Sequence, residues 1–513
     1  MKKTVLYKST RSDAAPVSCC EALLRGLAPD GGLYVPVSMP SLADLDESGD
    51  VLHALDRLAG MDYRELACSV LGLLLTDFTD EELRSCVYGA YDDKFDTPEI
   101  APVVKKDGMY YLELFHGQTI AFKDMALSVL PRLMTAASAK LGRSDEIVIL
   151  TATSGDTGKA ALAAFADVPG TRIVVFYPKY GVSPVQERQM ATQRGANVKV
   201  IGITGNFDEA QSGVKEIFSD RDLERELKGL GCQFSSANSI NIGRLVPQVA
   251  YYVWAYTRLV AQGAIRNGQS VNFTVPTGNF GNILAGYYAM RMGLPVRKLV
   301  CASNENKVLY DFFVSGTYDR NREFRVTSSP SMDILISSNL ERLIYEIAGC
   351  DAAVCADLMK SLKEKGRYEL TPEMRKRLSC FAAGYASEDD TACEIAGLWR
   401  RSGYVIDTHT AVASCVARYY KDQSEDMACG ATADVPMIVV STASPFKFTR
   451  SVMSAIDKKY AGEDDFSLVD ALSELTGLRI PHAIEDIRTA PVLHDTVCSG
   501  EEMRGEVLRF LRR

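Results

Sequence analysis

The run ELFHGQTIAFK, residues 113–123, places Lys123 at the end of an apolar stretch, with Asp124 and a helix-like segment behind it. Burial disfavours the ammonium form of a lysine and frees its amine to condense with a carbonyl. That is the chemistry of a pyridoxal phosphate lysine, which forms a Schiff base with the cofactor. A solvated lysine at a helix start would look the same, and the local sequence leaves both readings open.

Three strand-like runs end in turns with chemical potential. After EIVILTAT (146–153) comes Ser154-Gly155-Asp156-Thr157-Gly158-Lys159 and then a helical AALAAFAD. Glycines let a backbone approach a ligand, and N–H groups at a helix start favour an anion. The spacing is not that of a Walker loop, whose glycines are separated by four residues. After VNFTVPT (271–277) comes Gly278-Asn279-Phe280-Gly281-Asn282, again opening a helix. Backbone N–H groups of such a turn can cradle a phosphate without a lysine. Either turn alone could be a plain connector; two of them favour a phosphorylated ligand or cofactor. After the last strand, Ser441-Thr442-Ala443-Ser444-Pro445 offers hydroxyls that could meet a ring nitrogen, or simply turn the chain. Between the glycine turns, SSANSINIGRL (235–245) gathers small donors around Arg244, a set that suits an oxyanion. The same stretch also reads as a capped helix start with Arg244 on its surface.

The elements that must hold these turns follow from periodicity. The β-branched runs 146–153, 171–178, 197–203, 271–277, 298–304 and 437–443 alternate with helical segments, which predicts parallel sheet covered on both faces. The expected class is α/β, with one sheet over about 130–245 and another combining 96–130 with 246–455. Ligands of such sheets bind where strand ends meet helix starts. Ser183-Pro184 predicts a helix start and Gly195 its close. Asp208 to Leu230 reads as one long polar-faced helix, and Arg244 to Gln262 as a buried one. Residues 315–345, with Ser328, Ser329, Pro330 and Ser331, read as loop. Residues 1–95 form a small, mostly helical unit without catalytic signal, for packing or docking. The tail 456–513 reads as helix and loop without motif.

Composition narrows the function classes. The 513 residues carry a net charge of -9 and 47% hydrophobic residues, the balance of an ordinary soluble protein. No basic field marks a nucleic-acid binder, and no apolar run reaches the roughly 18 residues of a membrane helix. The opening MKKTVLYKSTRSD lacks the apolar core of a secretory signal. Thirteen scattered cysteines without a CxxC pair fit reduced thiols in a cytoplasm. Five histidines without HExxH argue against a metal site built from protein ligands.

ELFHGQTIAFKD, TATSGDTGKAA, SANSINIGR, PTGNFGN and STASPFKF occur in the order and spacing of threonine synthase. YKSTR…GLAPDGGLYVP and SPSMDILISSNLERL extend the resemblance across nearly the whole chain. It implies a fold-type II pyridoxal phosphate enzyme, similar to the tryptophan synthase β chain, with two open, mainly parallel-sheet domains and a small N-terminal helical domain. Lys123 would carry the cofactor. Gly278, Asn279, Phe280, Gly281 and Asn282 would hold its phosphate, Thr442 would face its ring nitrogen, and Asp156 would lie near its ring oxygen. Ser154, Thr157, Asn241 and Arg244 would take the substrate's carboxylate and phosphate. The implied reaction converts O-phospho-L-homoserine and water to L-threonine and phosphate in the cytoplasm, by a monomer or weak homodimer, without nucleic acid or membrane. A related phospho-lyase releasing a 2-keto acid and ammonia is the alternative; a cofactor-binding protein without turnover is a third. The chain departs from the family pattern at Gln118 (commonly proline), at Ser444 (commonly histidine) and at Asp407-Thr408-His409 (commonly Asp/Glu-Pro-His). His409 reads as a structural, hydrogen-bonded histidine.

Overall fold

The computed structural model describes residues 4–153, 155–182, 184–427 and 435–512. Two sheets organise it. The larger has six strands in the order Phe381–Tyr385, Val296–Ser303, Val271–Pro276, Met437–Ser441, Met109–Glu113 and Val103–Lys106, parallel except for the last, antiparallel edge strand. Its two middle strands are buried along their whole length, as their continuous apolar runs require. Successive side chains feed two cores. Ile438 and Val440 join the core beneath helix Ile242–Ala261, whereas Met437 and Val439 join the one beneath helix Thr408–Met427. The smaller sheet is wholly parallel, in the order Val497–Cys498, Val198–Ile203, Thr171–Pro178, Glu146–Ala152 and Cys232–Ser235.

Strand order creates two switch points. In the large sheet the chain leaves Val271–Pro276 toward Val296–Ser303 on one side, while Met437–Ser441 pairs on the other. In the small sheet it leaves Glu146–Ala152 toward Thr171–Pro178, and Cys232–Ser235 pairs on the opposite side. Loops diverge at such points and leave a crevice at the strand C-termini. All the polar turns singled out above lie at these two crevices.

Some expectations are corrected. The segment 208–230 is two helices, Phe207–Ser219 and Arg221–Gly229. Asp220 divides them, because its carboxylate accepts from Asp222 N and Leu223 N at 2.9 and 3.0 Å and so starts the second helix. Helix Pro184–Ala191 begins on proline as expected, but it ends before Gly195, which turns the following loop at φ +136°. Ser183 lies outside the described residues. The tail is not only helix and loop: Val497–Cys498 returns to the edge of the small sheet.

The N-terminal unit pairs Tyr7–Ser9 with Tyr34–Pro36 and packs helices Cys19–Arg25, Val51–Ala59, Tyr63–Leu74 and Asp80–Ala90 around them. Its apolar residues share one continuous core with helix Ile242–Ala261, where Tyr63 meets Trp254 edge-on at 5.5 Å. Arg342, fully buried, bolts the unit down. Its Nε donates to Tyr34 O at 2.9 Å, Nη2 to Ile240 O at 2.6 Å and Nη1 to Asn339 Oδ1. A second cluster holds the approach to Lys123. His116 bridges Asp96 (2.6 Å) and Glu113 (2.9 Å), and Glu113 also accepts from Tyr404 at 2.6 Å. Burial opposes charge on His116, but the hydrogen bonds to Asp96 and Glu113 outweigh it and raise its pKa to about 9.

Two outcomes follow. Arg342→Met leaves three acceptors, two of them buried, without this donor and should cost roughly 3–5 kcal/mol in urea denaturation; a loss under about 1 kcal/mol would contradict this role. His116 has a raised folded pKa, so its contribution is complete below the unfolded value of about 6.5 and is lost as pH rises through about 9. Melting temperature should therefore fall across that window, and Asp96→Asn should flatten the fall.

Candidate active site

Lys123 opens the short helix Lys123–Leu127 and is half-buried at the large-sheet crevice. The loop before it is closed by its neighbour. The fully buried Asp124 carboxylate accepts from Thr119 N at 2.7 Å and Thr119 Oγ1 at 2.6 Å. Burial pushes this carboxyl up, against the pull of the Thr119 hydrogen bonds. Ile120 sits at φ +52°, a costly conformation for a β-branched residue. The strain is held by sheet-like contacts to the end of the last strand: Phe122 N donates to Thr442 O at 2.8 Å and Ser444 N to Ile120 O at 3.0 Å. Lys123 Nζ, so aimed, donates to Ser331 Oγ at 3.0 Å.

The turn 278–282 has its carbonyls tied back. Gly278 O accepts from Ser337 Oγ at 2.7 Å, and Asn279 O accepts from Asn339 N at 3.1 Å and Nδ2 at 3.0 Å. The N–H groups of residues 279–282 make no hydrogen bond among the described residues, and helix Gly281–Arg291 begins there. Free N–H groups at a helix start form an anion cradle. Phe280 adopts φ +63° to shape it. A Cβ on Gly278 would lie 2.5 Å from the Ser331 carbonyl oxygen, so only glycine fits. Asn282 accepts from Tyr251 and Tyr252, both at 2.7 Å, while its Nδ2 is buried without a partner among the described residues.

Thr442 is buried, and its side chain makes no hydrogen bond among the described residues. Ser444 accepts from Phe446 N at 3.3 Å and caps the next turn, and Gln118 is exposed. Across the cleft, Gly155 (φ +136°) precedes helix Asp156–Phe165, and Thr157 is half-buried in its first turn. Ser154 lies outside the described residues. Lys159, on the same helix, donates to Gln193 Oε1 at 2.6 Å; burial and then the charge of Lys447 lower its pKa to about 8.

The stretch 235–245 turns out to be a capped helix start with a buried arginine, a mixture of the two readings. Asn241 caps helix Ile242–Ala261 and spends its whole side chain on backbone: Gly243 N, Leu23 O and Ser236 O, each at 2.9 Å. Arg244 is 3% exposed and donates to Ala237 O at 2.7 Å, with Nε lacking a partner among the described residues. Burial lowers its pKa to about 10, so it stays cationic at neutral pH. A buried cation with an unsatisfied donor calls for an anion.

The sequence reading did not single out Ser331, Asn339, Arg342 or Asp407 for the site. Ser331, Asn339 and Arg342 lie in SPSMDILISSNLERL, which carries part of the family resemblance but reads as loop, and nothing local aims Ser331 at a lysine 208 residues away. Among the described residues one group could ligate a metal, Cys19, Cys20 and Asp77, inside the N-terminal unit. No described helix is long and apolar enough to cross a membrane.

Comparison with known proteins gives consistent matches along the chain. Residues 6–91 match the threonine synthase N terminus, 97–439 the pyridoxal-phosphate-dependent enzymes, and 410–490 the threonine synthase C-terminal family. Threonine synthase from Pseudomonas aeruginosa is 37% identical, covering 88% of this chain and 90% of its own. Threonine synthase-like 1 from Macaca fascicularis is also 37% identical over 94% of this chain, which spans 64% of that relative's length. The solved PLP-bound threonine synthase from Brucella melitensis superposes with a TM-score of 0.86 at 36% identity, covering 99% of this chain and 100% of that one. With three family models matching in sequence order and the fold shared from end to end, the chain belongs to the threonine synthase family of fold-type II pyridoxal-phosphate-dependent enzymes.

Proposed function

We propose that the chain converts O-phospho-L-homoserine and water to L-threonine and phosphate in the cleft between the two sheets. The observation that carries this reading is Arg244, a buried guanidinium with no carboxylate partner among the described residues, together with the unpaired backbone N–H groups at 279–282, which suit a second phosphate. A phosphorylated cofactor accounts for the cradle, and a phosphorylated substrate accounts for the arginine.

The site suits pyridoxal phosphate. Its phosphate would take the free N–H groups of Gly278, Asn279, Phe280, Gly281 and Asn282, the Thr442 hydroxyl would meet its ring nitrogen, and Asp156 would lie at its ring oxygen. Bound there, it supplies an electron sink for charge developing at the substrate Cα. Lys123 Nζ would hold the cofactor and would take the Cα proton as general base. Ser331 Oγ, at 3.0 Å, keeps that amine oriented while it is free. Ser154 and Thr157 would orient the substrate carboxylate. Arg244 would hold its phosphate, as ester and then as the released anion, and Asn241 keeps the arginine's helix start in place. A second proton leaves Cβ as phosphate departs from Cγ, Cγ gains a proton, water adds at Cβ and a proton returns to Cα, which gives threonine.

The relatives named threonine synthase-like, as similar as the bacterial synthases, keep a second reading in view. There the same site releases a 2-keto acid, ammonia and phosphate.

Product analysis with O-phospho-L-homoserine decides between them: equal threonine and phosphate support the first reading, keto acid and ammonia the second. Lys123→Ala should abolish turnover and covalent cofactor attachment; full turnover in that variant would sink the lysine's role. Arg244→Gln should raise KM for the phosphorylated substrate by about 10-fold or more while leaving cofactor loading intact. An unchanged KM would remove the arginine from the substrate site.

A further inference from the structure

The start of helix Thr408–Met427 touches three walls of the site. Thr408 Oγ1 donates to Ser328 O at 2.8 Å. Thr410 Oγ1 lies 3.0 Å from Ser441 Oγ and accepts from Thr442 N at 3.3 Å. His409 Nε2 accepts from Ser331 N at 3.2 Å. An imidazole nitrogen that accepts an N–H carries no proton, so the His409 proton is on Nδ1. There it faces Asp407 Oδ2 at 2.9 Å. Asp407, fully buried, also accepts from His409 N at 2.9 Å, Thr410 N at 3.1 Å and Thr410 Oγ1. The imidazole is 4% exposed and lies against the Phe448 ring at 4.8 Å. Its orientation and tautomer are therefore both determined, in the manner of a carboxylate-oriented histidine.

Ser331, gripped from behind by this imidazole, presents two faces to the chemistry. Its hydroxyl takes the Lys123 amine at 3.0 Å, and its carbonyl oxygen packs against Gly278 so closely that no Cβ fits between them. One short turn thus sets the lysine and one wall of the phosphate cradle together. We propose that Asp407 and His409 form a positioning pair for the reaction: the pair fixes the 329–332 turn, and through Ser331 fixes the direction of the Lys123 amine. Neither residue of the pair touches the reacting atoms. The inference rests on the proposed role of Lys123 and adds that the lysine's aim is set by a histidine nearly three hundred residues further along the chain.

The test uses full-length His409→Leu, His409→Gln, Ser331→Ala, the Ser331→Ala/His409→Leu double variant and Asp407→Asn, each loaded with pyridoxal phosphate. Glutamine can place an amide oxygen near the Nε2 position and still accept from Ser331 N. His409→Leu and Ser331→Ala should each lower kcat about 10- to 100-fold with KM changed less than about 3-fold. The double variant should be no slower than the slower single, since both act through one hydroxyl. His409→Gln should recover most of the loss. The rate at which cofactor-free protein binds pyridoxal phosphate covalently, followed by absorbance without any substrate, should fall in parallel. Should His409→Leu fail to fold, Asp407→Asn, which keeps the volume and weakens the grip on the ring together with the contacts to the helix start, should give the same pattern. Additive losses in the double variant, or unchanged loading in both His409→Leu and Asp407→Asn, would overturn the proposal. A Lys123→Ala protein that still binds the cofactor covalently would instead overturn the reading beneath it, so the two failures are distinguishable.

Discussion

A buried guanidinium must spend its donors inside the protein, and Arg342 spends them on three separate parts of the chain. Tyr34 O belongs to the N-terminal unit, Ile240 O precedes the helix that carries Arg244, and Asn339 Oδ1 belongs to the residue that ties back the Asn279 carbonyl. Losing any one of these acceptors would leave a charge unsatisfied in a site without water access. The 278–282 turn, the Arg244 helix start and the N-terminal unit are thereby locked into one arrangement. The N-terminal unit is accordingly packed into the same core as helix Ile242–Ala261.

The second constraint is backbone accounting. A turn can offer N–H groups to an anion only if its carbonyls are satisfied elsewhere. Ser337 and Asn339 provide that at Gly278 and Asn279, both from the stretch that reads as loop in the sequence. The same logic holds at Lys123, where Ile120 is kept in a left-handed conformation by hydrogen bonds to Thr442 and Ser444 in its surroundings. The Lys123 turn is thus held by the strand end at Thr442 and Ser444, and the 278–282 turn by Ser337 and Asn339.

Much of this was legible in advance because it is local. Continuous β-branched runs bounded by polar turns become buried parallel strands whatever follows them. The pair Gly278 and Gly281 marks a turn that needs close backbone approach, and the lysine after an apolar run marks a half-buried amine. The misreadings were also local in origin. Asp220 offers its side chain to the backbone and starts a new helix where an averaged polar pattern suggested continuity. Asn241 has donor and acceptor groups that suit an anion, yet the neighbouring backbone claims all of them.

By itself the sequence determined the strands, the glycine turns, the lysine and, through their order and spacing, the family. These depend on side-chain period and backbone conformational preference, which each residue carries with it. Tertiary structure alone decided which turns share a crevice, because strand order places the ends of Val271–Pro276 and Met437–Ser441 side by side. It alone aimed Ser331 at Lys123 and set His409 behind it. Such contacts join residues tens to hundreds of positions apart, and their geometry comes from the packing of the whole core, which no local pattern encodes.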